Sequence, residues 1–162
     1  MPGIDSSPPP RPGKNTDPHK VALVALHSER FPITGESHGV CAIAGYLDAH
    51  SPEHSVRVFD LQIDPTEHVL RHLAGDTPAV LGVSVKLQTF QQFLSLHGQI
   101  LARLPPEDRP LVVLGNGVPA LHGDFILANQ LPHVIIATGE GEVTLEHICQ
   151  HVLGQRDLSR VE

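Results

Sequence analysis

Short apolar runs and helix-length amphipathic segments alternate along the chain from residue 20 onward. A short run that is apolar throughout and rich in β-branched residues predicts a strand covered on both faces, as in a parallel sheet. Five such runs are present: Val21–His27, Ser55–Leu61, Ala79–Val85, Leu111–Leu114 and His133–Ala137. The chain is therefore expected to place five strands in its core.

Helical periodicity fills the gaps between these runs. In residues 38–50, Val40, Ile43 and Leu47 recur with a period of about 3.6 residues, which predicts one apolar helix face. Further helices are predicted at 65–74, with Gly75 as the stop, and at 89–104, 124–130 and 143–153. Strands that alternate with helices in this way predict an α/β fold with a five-stranded, parallel, doubly wound sheet of the Rossmann-like (flavodoxin-like) type.

The first 19 residues differ in composition from the rest of the chain. Proline occurs there at positions 2, 8, 9, 10, 12 and 18, among Ser, Gly, Asn and Asp residues. Such a segment cannot bury enough apolar area to offset the entropy lost on ordering. We therefore expect a disordered leader at 1–19, an α/β domain at 20–154 and a C-terminal tail at 155–162.

Charge and cysteine usage narrow the possible partners and compartment. The formal net charge is −7 with the 12 histidines neutral, and no Lys/Arg cluster is present, which argues against nucleic acid and membrane surfaces as partners. An 18-residue apolar span and an apolar N-terminal run are both absent from the sequence. The only two cysteines, Cys41 and Cys149, are far apart, which predicts reduced, largely buried thiols in a cytoplasmic protein.

In a doubly wound sheet, ligands bind in the loops that follow the carboxyl ends of the strands. These loops are Ser28–Ser37, the loop after Asp60 and Leu61, Ser84–Gln88, Gly115–Pro119 and Thr138–Glu142. Small residues gather in the last three, and glycine lets the backbone approach a bulky ligand closely. Three adjacent strand ends with small side chains predict space for a large, flat ligand across the sheet edge.

Two motifs connect this pattern to a known family. Gly139-Glu140-Gly141-Glu142 lies between an apolar strand and a helix, and Gly82-Val83-Ser84 ends the third strand. With VALVALHSERFPITGESHGVCAIAGYLDAH, VRVFDL and PLVVLGNG, they extend over residues 21–153. The order of these stretches resembles the cobalamin-binding domain found at the N-terminus of many radical S-adenosylmethionine enzymes.

The resemblance implies that a corrin ring caps the carboxyl edge of the sheet while its nucleotide tail enters a cleft beside the central strands. It assigns Ser84, Val85, Lys86 and Leu87 to the tail pocket, Gly115, Asn116 and Gly117 to the region beneath it, and Gly139, Glu140 and Gly141 to the far wall. It places residues 26–37 under the corrin, with His27, Ser28, Glu29 and Arg30 as cofactor-binding residues. His27, Glu29 and Arg30 are expected to hold a water molecule or a propionamide near cobalt.

The sequence departs from one branch of that family at the cobalt ligand. The methionine-synthase and mutase branch carries Asp-x-His-x-x-Gly in the first loop, and its histidine coordinates cobalt. Here Ser-Glu-Arg follows His27, and Gly39 directly follows His38. The resemblance therefore implies that cobalt is bound without a histidine ligand and that no residue of this chain ligates the metal. For His38 we expect a solvent-facing position at the start of a helix, and a role as axial ligand of cobalt is the alternative.

The cysteine count bears on catalysis as well. A radical S-adenosylmethionine enzyme holds its iron–sulfur cluster through three cysteines, and this chain has two, on different predicted helices. The chain alone is therefore expected to be non-catalytic. The resemblance implies a domain or subunit that presents methylcobalamin or hydroxocobalamin to a radical S-adenosylmethionine partner for methyl transfer to carbon. The cluster and S-adenosylmethionine belong to that partner.

A flavodoxin-like flavin-binding module is the alternative. Residues 32–37 resemble a phosphate-binding loop before a helix, which favours this alternative. Flavins are commonly sandwiched between aromatic side chains, however, and the chain has no Trp, while its one Tyr, Tyr46, lies within a predicted helix. A phosphoacceptor domain is disfavoured, because it would need acidic residues at the positions that His27, Ser28 and Ser84 occupy.

Two histidine pairs have the i, i+4 spacing of a zinc-binding helix, His68 with His72 and His147 with His151. We interpret both as solvated surface, because no Glu follows His68 as in the zinc-protease helix. A Gly-x-Ser-x-Gly nucleophile elbow is absent from the sequence.

Overall fold

The computed structural model describes residues 10–27, 37–128 and 131–158. Its strands are β1 (Asp17–Ala25), β2 (Ser55–Asp60), β3 (Pro78–Ser84), β4 (Leu111–Gly115) and β5 (Val134–Ile136). Its helices are α1 (His38–His50), α2 (Thr66–Asp76), α3 (Phe90–Arg103), α4 (Gly117–Ala128) and α5 (Gly141–Val152). Short 3₁₀ turns at Leu87–Thr89 and Pro106–Asp108 precede α3 and β4.

All strand pairs are parallel, and the sheet order is β2-β1-β3-β4-β5. The predicted five-stranded, parallel α/β fold is thereby confirmed. The sheet is covered on both faces because side chains alternate along each strand. Ala22 and Val24 pack toward α2, α3 and α4, whereas Val21 and Leu23 pack toward α1 and α5. The two faces form separate apolar clusters, and each helix contributes to one of them.

The beginning of the chain differs from the prediction. β1 begins at Asp17, four residues before the predicted Val21, and the Asp17 N–H donates to the Thr77 carbonyl oxygen at 2.7 Å. Earlier still, the backbone N–H groups of Gly13 and Asn15 each donate over 2.8 Å to the segment before β4. The predicted disorder is therefore wrong for residues 10–19, and residues 1–9 lie outside the described ranges. The domain boundaries themselves stay a prediction.

Two helices also differ at their ends. α2 continues through Gly75 to Asp76 and stops where Thr77 adopts a left-handed φ of 43°, so Gly75 is not the stop. α4 begins at Gly117, well before the predicted 124, and has a kink at His122. Its early start places Pro119 in the first turn, where proline is tolerated because the N–H it lacks has no helical acceptor. Within the described ranges, no helix combines the length and apolar character needed to cross a membrane.

Candidate functional site

The carboxyl tips of the three central strands lie side by side. In the strand register Ala25 is the partner of Ser84, and Ser84 is the partner of Gly115. The Val85 N–H donates to the Gly115 carbonyl oxygen at 3.0 Å, which extends the pairing past the end of β3. The loops after β3 and β4 therefore leave the sheet from one edge.

A cavity of about 250 Å³ opens between these tips and the helices α1 and α5. The sheet side is formed by Leu23, Gly82, Val83, Ser84, Val113, Gly115, Asn116 and Ala137. The helix side is formed by Gly39, Val40, Ile43, Gly139, Gly141, Glu142 and Leu145. Polar side chains are few in this lining (Ser84, Asn116 and Glu142), so the cavity suits a mainly apolar ligand with a small number of polar anchors.

Five lining positions carry no side chain: Gly39, Gly82, Gly115, Gly139 and Gly141. A Cβ added at Gly82 would lie 2.7 Å from Leu23 Cδ2, so a side chain there would require the buried Leu23 to shift. A Cβ at Gly115 would meet nothing within 4 Å, so a side chain at that position would project into open space. Gly139 has a φ of +89°, which favours glycine for backbone reasons alone. The lining therefore fits a flat group entering between α1 and α5.

Asn116 fixes the loop after β4 against the tip of β3. Its Nδ2 donates to Ser84 Oγ at 3.0 Å, and its Oδ1 accepts the Gly117 N–H at 2.6 Å. Asn116 has a φ of 83°, a left-handed conformation that asparagine tolerates better than most residues. Because Ser84 Oγ accepts the Asn116 bond, its own hydrogen stays available for an acceptor in the cavity.

The predicted site residues divide into three groups. Ser84, Gly115, Asn116, Gly139 and Gly141 line the cavity together. Lys86, Leu87, Gly117 and Glu140 are exposed and lie outside its lining. His27 is half-buried just beyond β1, and Ser28, Glu29 and Arg30 lie outside the described residues.

Val85 requires a correction of its placement. Its side chain is fully buried in the apolar cluster on the α2, α3 and α4 face, opposite the cavity. The reason is strand alternation: Ser84 points to one face of the sheet, so its neighbour points to the other. Of the predicted stretch from Ser84 to Leu87, only Ser84 lines the cavity.

Sequence reasoning missed the wall that α1 and α5 contribute. Val40, Ile43 and Leu145 have the periodicity of ordinary core residues, so nothing in the sequence separates them from the rest of the core. Gly141, which is among the predicted residues, brings α5 close to α1, since a Cβ there would lie 3.0 Å from Ile43 Cδ1. Gly82 could have been found too, since it begins the Gly-Val-Ser triplet.

The start of α1 is held by the end of β2. Ser37 Oγ donates to Asp60 Oδ2 at 2.5 Å, and Asp60 Oδ1 accepts the Gln62 N–H at 2.9 Å. His38 is the first residue of α1 and is exposed, in agreement with its predicted solvent-facing position. These bonds fix the end of α1 that borders the cavity.

Tyr46 is the one tyrosine that the chain could offer to a flavin, and it contacts other residues instead of lining the cavity. Its hydroxyl donates to Glu146 Oε2 on α5 at 3.2 Å, and its ring stacks on His50 with centroids 4.1 Å apart. Burial and this carboxylate raise the pKa of Tyr46. The described lining of the cavity contains no aromatic side chain.

The two thiols differ, which corrects the prediction that both are buried. Cys41 is exposed on α1, whereas Cys149 is buried on α5. Burial raises the pKa of Cys149 to about 12, with smaller contributions from Glu146 and Glu53. Cys149 is therefore a protonated, unreactive core thiol at neutral pH.

Neither histidine pair belongs to a group of three or more His, Cys, Asp or Glu side chains that could hold a metal ion, within the described parts of the chain. The predicted solvated surface is wrong for His151, which is 3% exposed and lies with Nδ1 3.0 Å from the Arg156 carbonyl oxygen. It is wrong in part for His72, which is half-buried with Nδ1 2.7 Å from Asp76 Oδ2. His68 is exposed as predicted.

The fold and cavity define an α/β domain with an open cavity at the carboxyl edge of its sheet. Residues 30–149 match the family described as the B12 binding domain, and the chain belongs to that family. This membership confirms the predicted cobalamin cofactor and the family resemblance from which it came.

Solved structures of the cobalamin-dependent S-adenosylmethionine radical enzyme OxsB have a similar fold. The form with aqua-cobalamin and S-adenosylmethionine bound matches with a TM-score of 0.78 at 22% identity. The form with aqua-cobalamin alone gives 0.75 at 23%, and the apo form 0.73 at 22%. Each match covers 88% of this chain and 20% of OxsB, so the chain spans one fifth of that enzyme's length. A comparison with curated proteins gives no match.

Proposed function

We propose that the domain holds methylcobalamin or hydroxocobalamin across the carboxyl edge of its sheet, with the nucleotide tail in the cavity between α1 and α5. The observation that carries this proposal is the gap left by Gly82, Gly115 and Gly139, which opens on a largely apolar cavity of about 250 Å³. When bound, the corrinoid supplies the organometallic chemistry at cobalt. The chain contributes shape, orientation and exclusion of water.

Ser84 and Asn116 are the polar anchors that we assign to the tail. The bond from Asn116 Nδ2 holds the Ser84 hydroxyl at the cavity wall and directs its hydrogen away from Asn116. The Ser84 hydroxyl can then donate to a nitrogen or oxygen of the tail. Asn116 acts as the positioning residue.

A radical S-adenosylmethionine catalytic domain or subunit is the proposed partner at this edge. Four large apolar side chains are exposed among the described residues: Ile63, Leu87, Leu121 and, to a smaller extent, Val143. Each follows the carboxyl end of a strand, in the loop or the first half of the helix that comes next. Single exposed apolar residues are common, but their concentration at one end supports a covering partner there.

Two further parts of the proposal concern the cofactor's surroundings and reaction. We propose that cobalt has no histidine ligand from this chain, and that His27, Glu29 and Arg30 contact a water molecule or propionamide close to it. Methyl transfer to carbon is the proposed reaction, with the iron–sulfur cluster and S-adenosylmethionine on the partner. The two cysteines, Cys41 and Cys149, are both free, which supports the proposed cytoplasmic location.

The test is retention of the cofactor by the purified chain. Protein mixed with hydroxocobalamin should keep a red colour, in a fixed ratio to protein, after desalting. A parallel sample mixed with flavin mononucleotide should elute without yellow colour or green fluorescence. A colourless eluate from the cobalamin sample, or retention of flavin instead, would contradict the proposal.

A further inference from the structure

A second cavity, of about 650 Å³, follows the edge strand β2 on the opposite face of the sheet. We call it the β2 groove. Lys20, Arg57 and Phe59 contribute from the strands, and Arg71, His72 and Asp76 contribute from α2. The strand residues lie on one face of the sheet because side chains alternate along each strand. The α2 residues lie on one flank of the helix because their spacing is i, i+1 and i+5. The β2 groove shares none of its lining residues with the cavity between α1 and α5.

The charge in the β2 groove opposes that of the chain. The chain carries a formal net charge of −7, yet the lining of the β2 groove contains one carboxylate, Asp76, and three cationic side chains: Lys20, Arg57 and Arg71. Asp76 contacts two other residues of the lining: its Oδ1 lies 3.8 Å from Lys20 Nζ, and its Oδ2 lies 2.7 Å from His72 Nδ1. The two arginines are therefore the cations left to bind a ligand.

Neither arginine has a carboxylate partner among the residues that the structure describes. The Arg57 guanidinium lies 5.8 Å from the centre of the Phe59 ring, and Arg71 Nε makes a long bond of 3.5 Å to the Glu67 carbonyl oxygen. Both side chains are exposed at the surface of the β2 groove. Guanidinium groups bind carboxylates through two parallel hydrogen bonds, so the pair favours an anionic ligand.

The backbone beside the β2 groove is suited to an extended ligand. β2 is the edge strand, and within the described ranges it pairs with β1 alone. The outer backbone groups of an edge strand can pair with an added strand from another polypeptide. A segment paired there would direct every second side chain over the face that carries Arg57 and Arg71.

We propose that the β2 groove binds an extended acidic segment of a partner polypeptide, which adds to β2 as a strand. Carboxylates at alternate positions would pair with the guanidinium groups of Arg57 and Arg71. The inference is independent of cobalamin binding, because it uses the other face of the sheet and different residues.

The test uses a fluorescein-labelled, acetylated decapeptide of alternating Glu and Val, with binding followed by fluorescence anisotropy. We expect binding that weakens as salt rises, because exposed ion pairs are screened. The double variant Arg57→Glu and Arg71→Glu should weaken binding by about tenfold or more. The matched control, Arg11→Glu with Lys14→Glu, makes the same change of charge at two exposed positions outside the β2 groove and should bind like the unmodified chain.

Two further peptides test the mode of binding. A peptide with N-methyl groups at alternate residues cannot pair with β2 and should lose most of its affinity, and a peptide with Lys in place of Glu should not bind. Equal affinity of both double variants, undiminished binding of the methylated peptide, or no binding of the acidic peptide would each overturn the proposal. Circular dichroism and hydroxocobalamin retention of the groove variant report on folding separately.

Discussion

The Asn116 side chain donates from Nδ2 to the hydroxyl oxygen of Ser84 over 3.0 Å, and so joins the loop after β4 to the tip of β3. Asn116 holds this position in a left-handed backbone conformation, with a φ of 83°. Asn116 therefore has two roles: its side chain makes the hydrogen bond, and its backbone adopts a conformation that few residues other than glycine accept. The bond holds in place two of the three polar side chains of a mainly apolar cavity.

Replacing Asn116 separates its backbone role from its side-chain role. Asn116→Val should lower the free energy of unfolding by about 1–2 kcal/mol, because a β-branched residue disfavours left-handed φ. Asn116→Gly accepts that φ and should leave stability nearly unchanged, while hydroxocobalamin affinity falls because Ser84 loses its partner. Urea denaturation and spectroscopic titration measure the two effects. Equal stability of both variants would contradict the backbone role.

Filling the cavity should abolish cofactor retention. Ser84→Trp places an indole at its wall and should reduce hydroxocobalamin affinity by about tenfold or more. Gly115→Leu should do the same, because its side chain would project into open space rather than into packed neighbours. Ser95→Trp, at an exposed position of α3, is the matched control. Unchanged retention in both cavity variants, with normal circular dichroism, would mean that the tail binds elsewhere.

Gly82 is expected to be intolerant of any side chain. In Gly82→Ala the new Cβ would meet Leu23 Cδ2 at 2.7 Å, and overpacking of this kind costs about 1–3 kcal/mol. Gly98→Ala is the control, since an added Cβ on α3 meets nothing within 4 Å and removes a helix-interior glycine. It should stabilise the chain by about 0.5–1 kcal/mol. Urea denaturation of the two variants should therefore give opposite signs.

The two thiols should react at very different rates. At pH 8, iodoacetamide should modify Cys41, which is exposed, and spare Cys149, whose pKa burial raises to about 12. Because the pKa of Cys149 is higher in the folded chain than its usual 9.0, stability from this thiol is present below pH 9 and is lost as the pH rises toward 12. Mass spectrometry of the native and urea-unfolded chain counts the modified thiols; two in the native state would contradict the burial.

The proposed ligation of cobalt without a histidine gives a spectroscopic prediction. With hydroxocobalamin bound, His38→Ala should leave the visible absorption bands unchanged, because His38 is exposed at the start of α1. The exposed His68, on α2, provides the control substitution to Ala. A band shift in the His38 variant alone would identify His38 as an axial ligand.

Much of the fold follows from the sequence because β-branched runs and helical periods are local signals. α1 matches its predicted bounds at His38 and His50, and the five strands appear in the predicted order. The start of β1 at Asp17 could not be predicted, because it depends on a hydrogen bond from the Asp17 N–H to the Thr77 carbonyl oxygen, a residue distant in sequence. The start of α4 could not be predicted either, because Gly117 and Pro119 are typical of loops and yet lie in the first turn of the helix.

The site divides in the same way. Ser84, Gly115 and Gly139 could be predicted because strand ends of a doubly wound sheet face ligands. Ile43 and Leu145 could not, because whether an apolar residue packs in the core or lines a cavity depends on the angle between two helices. Val85 lies on the opposite face of the sheet because side chains alternate along the stretch that begins at Ser84.

The close approach of Gly82 to Leu23 occurs within the sheet. Both residues belong to strand interiors rather than to loops, so the floor of the cavity is set by the sheet itself. Substitutions in the loops that border the cavity should therefore leave its floor unchanged.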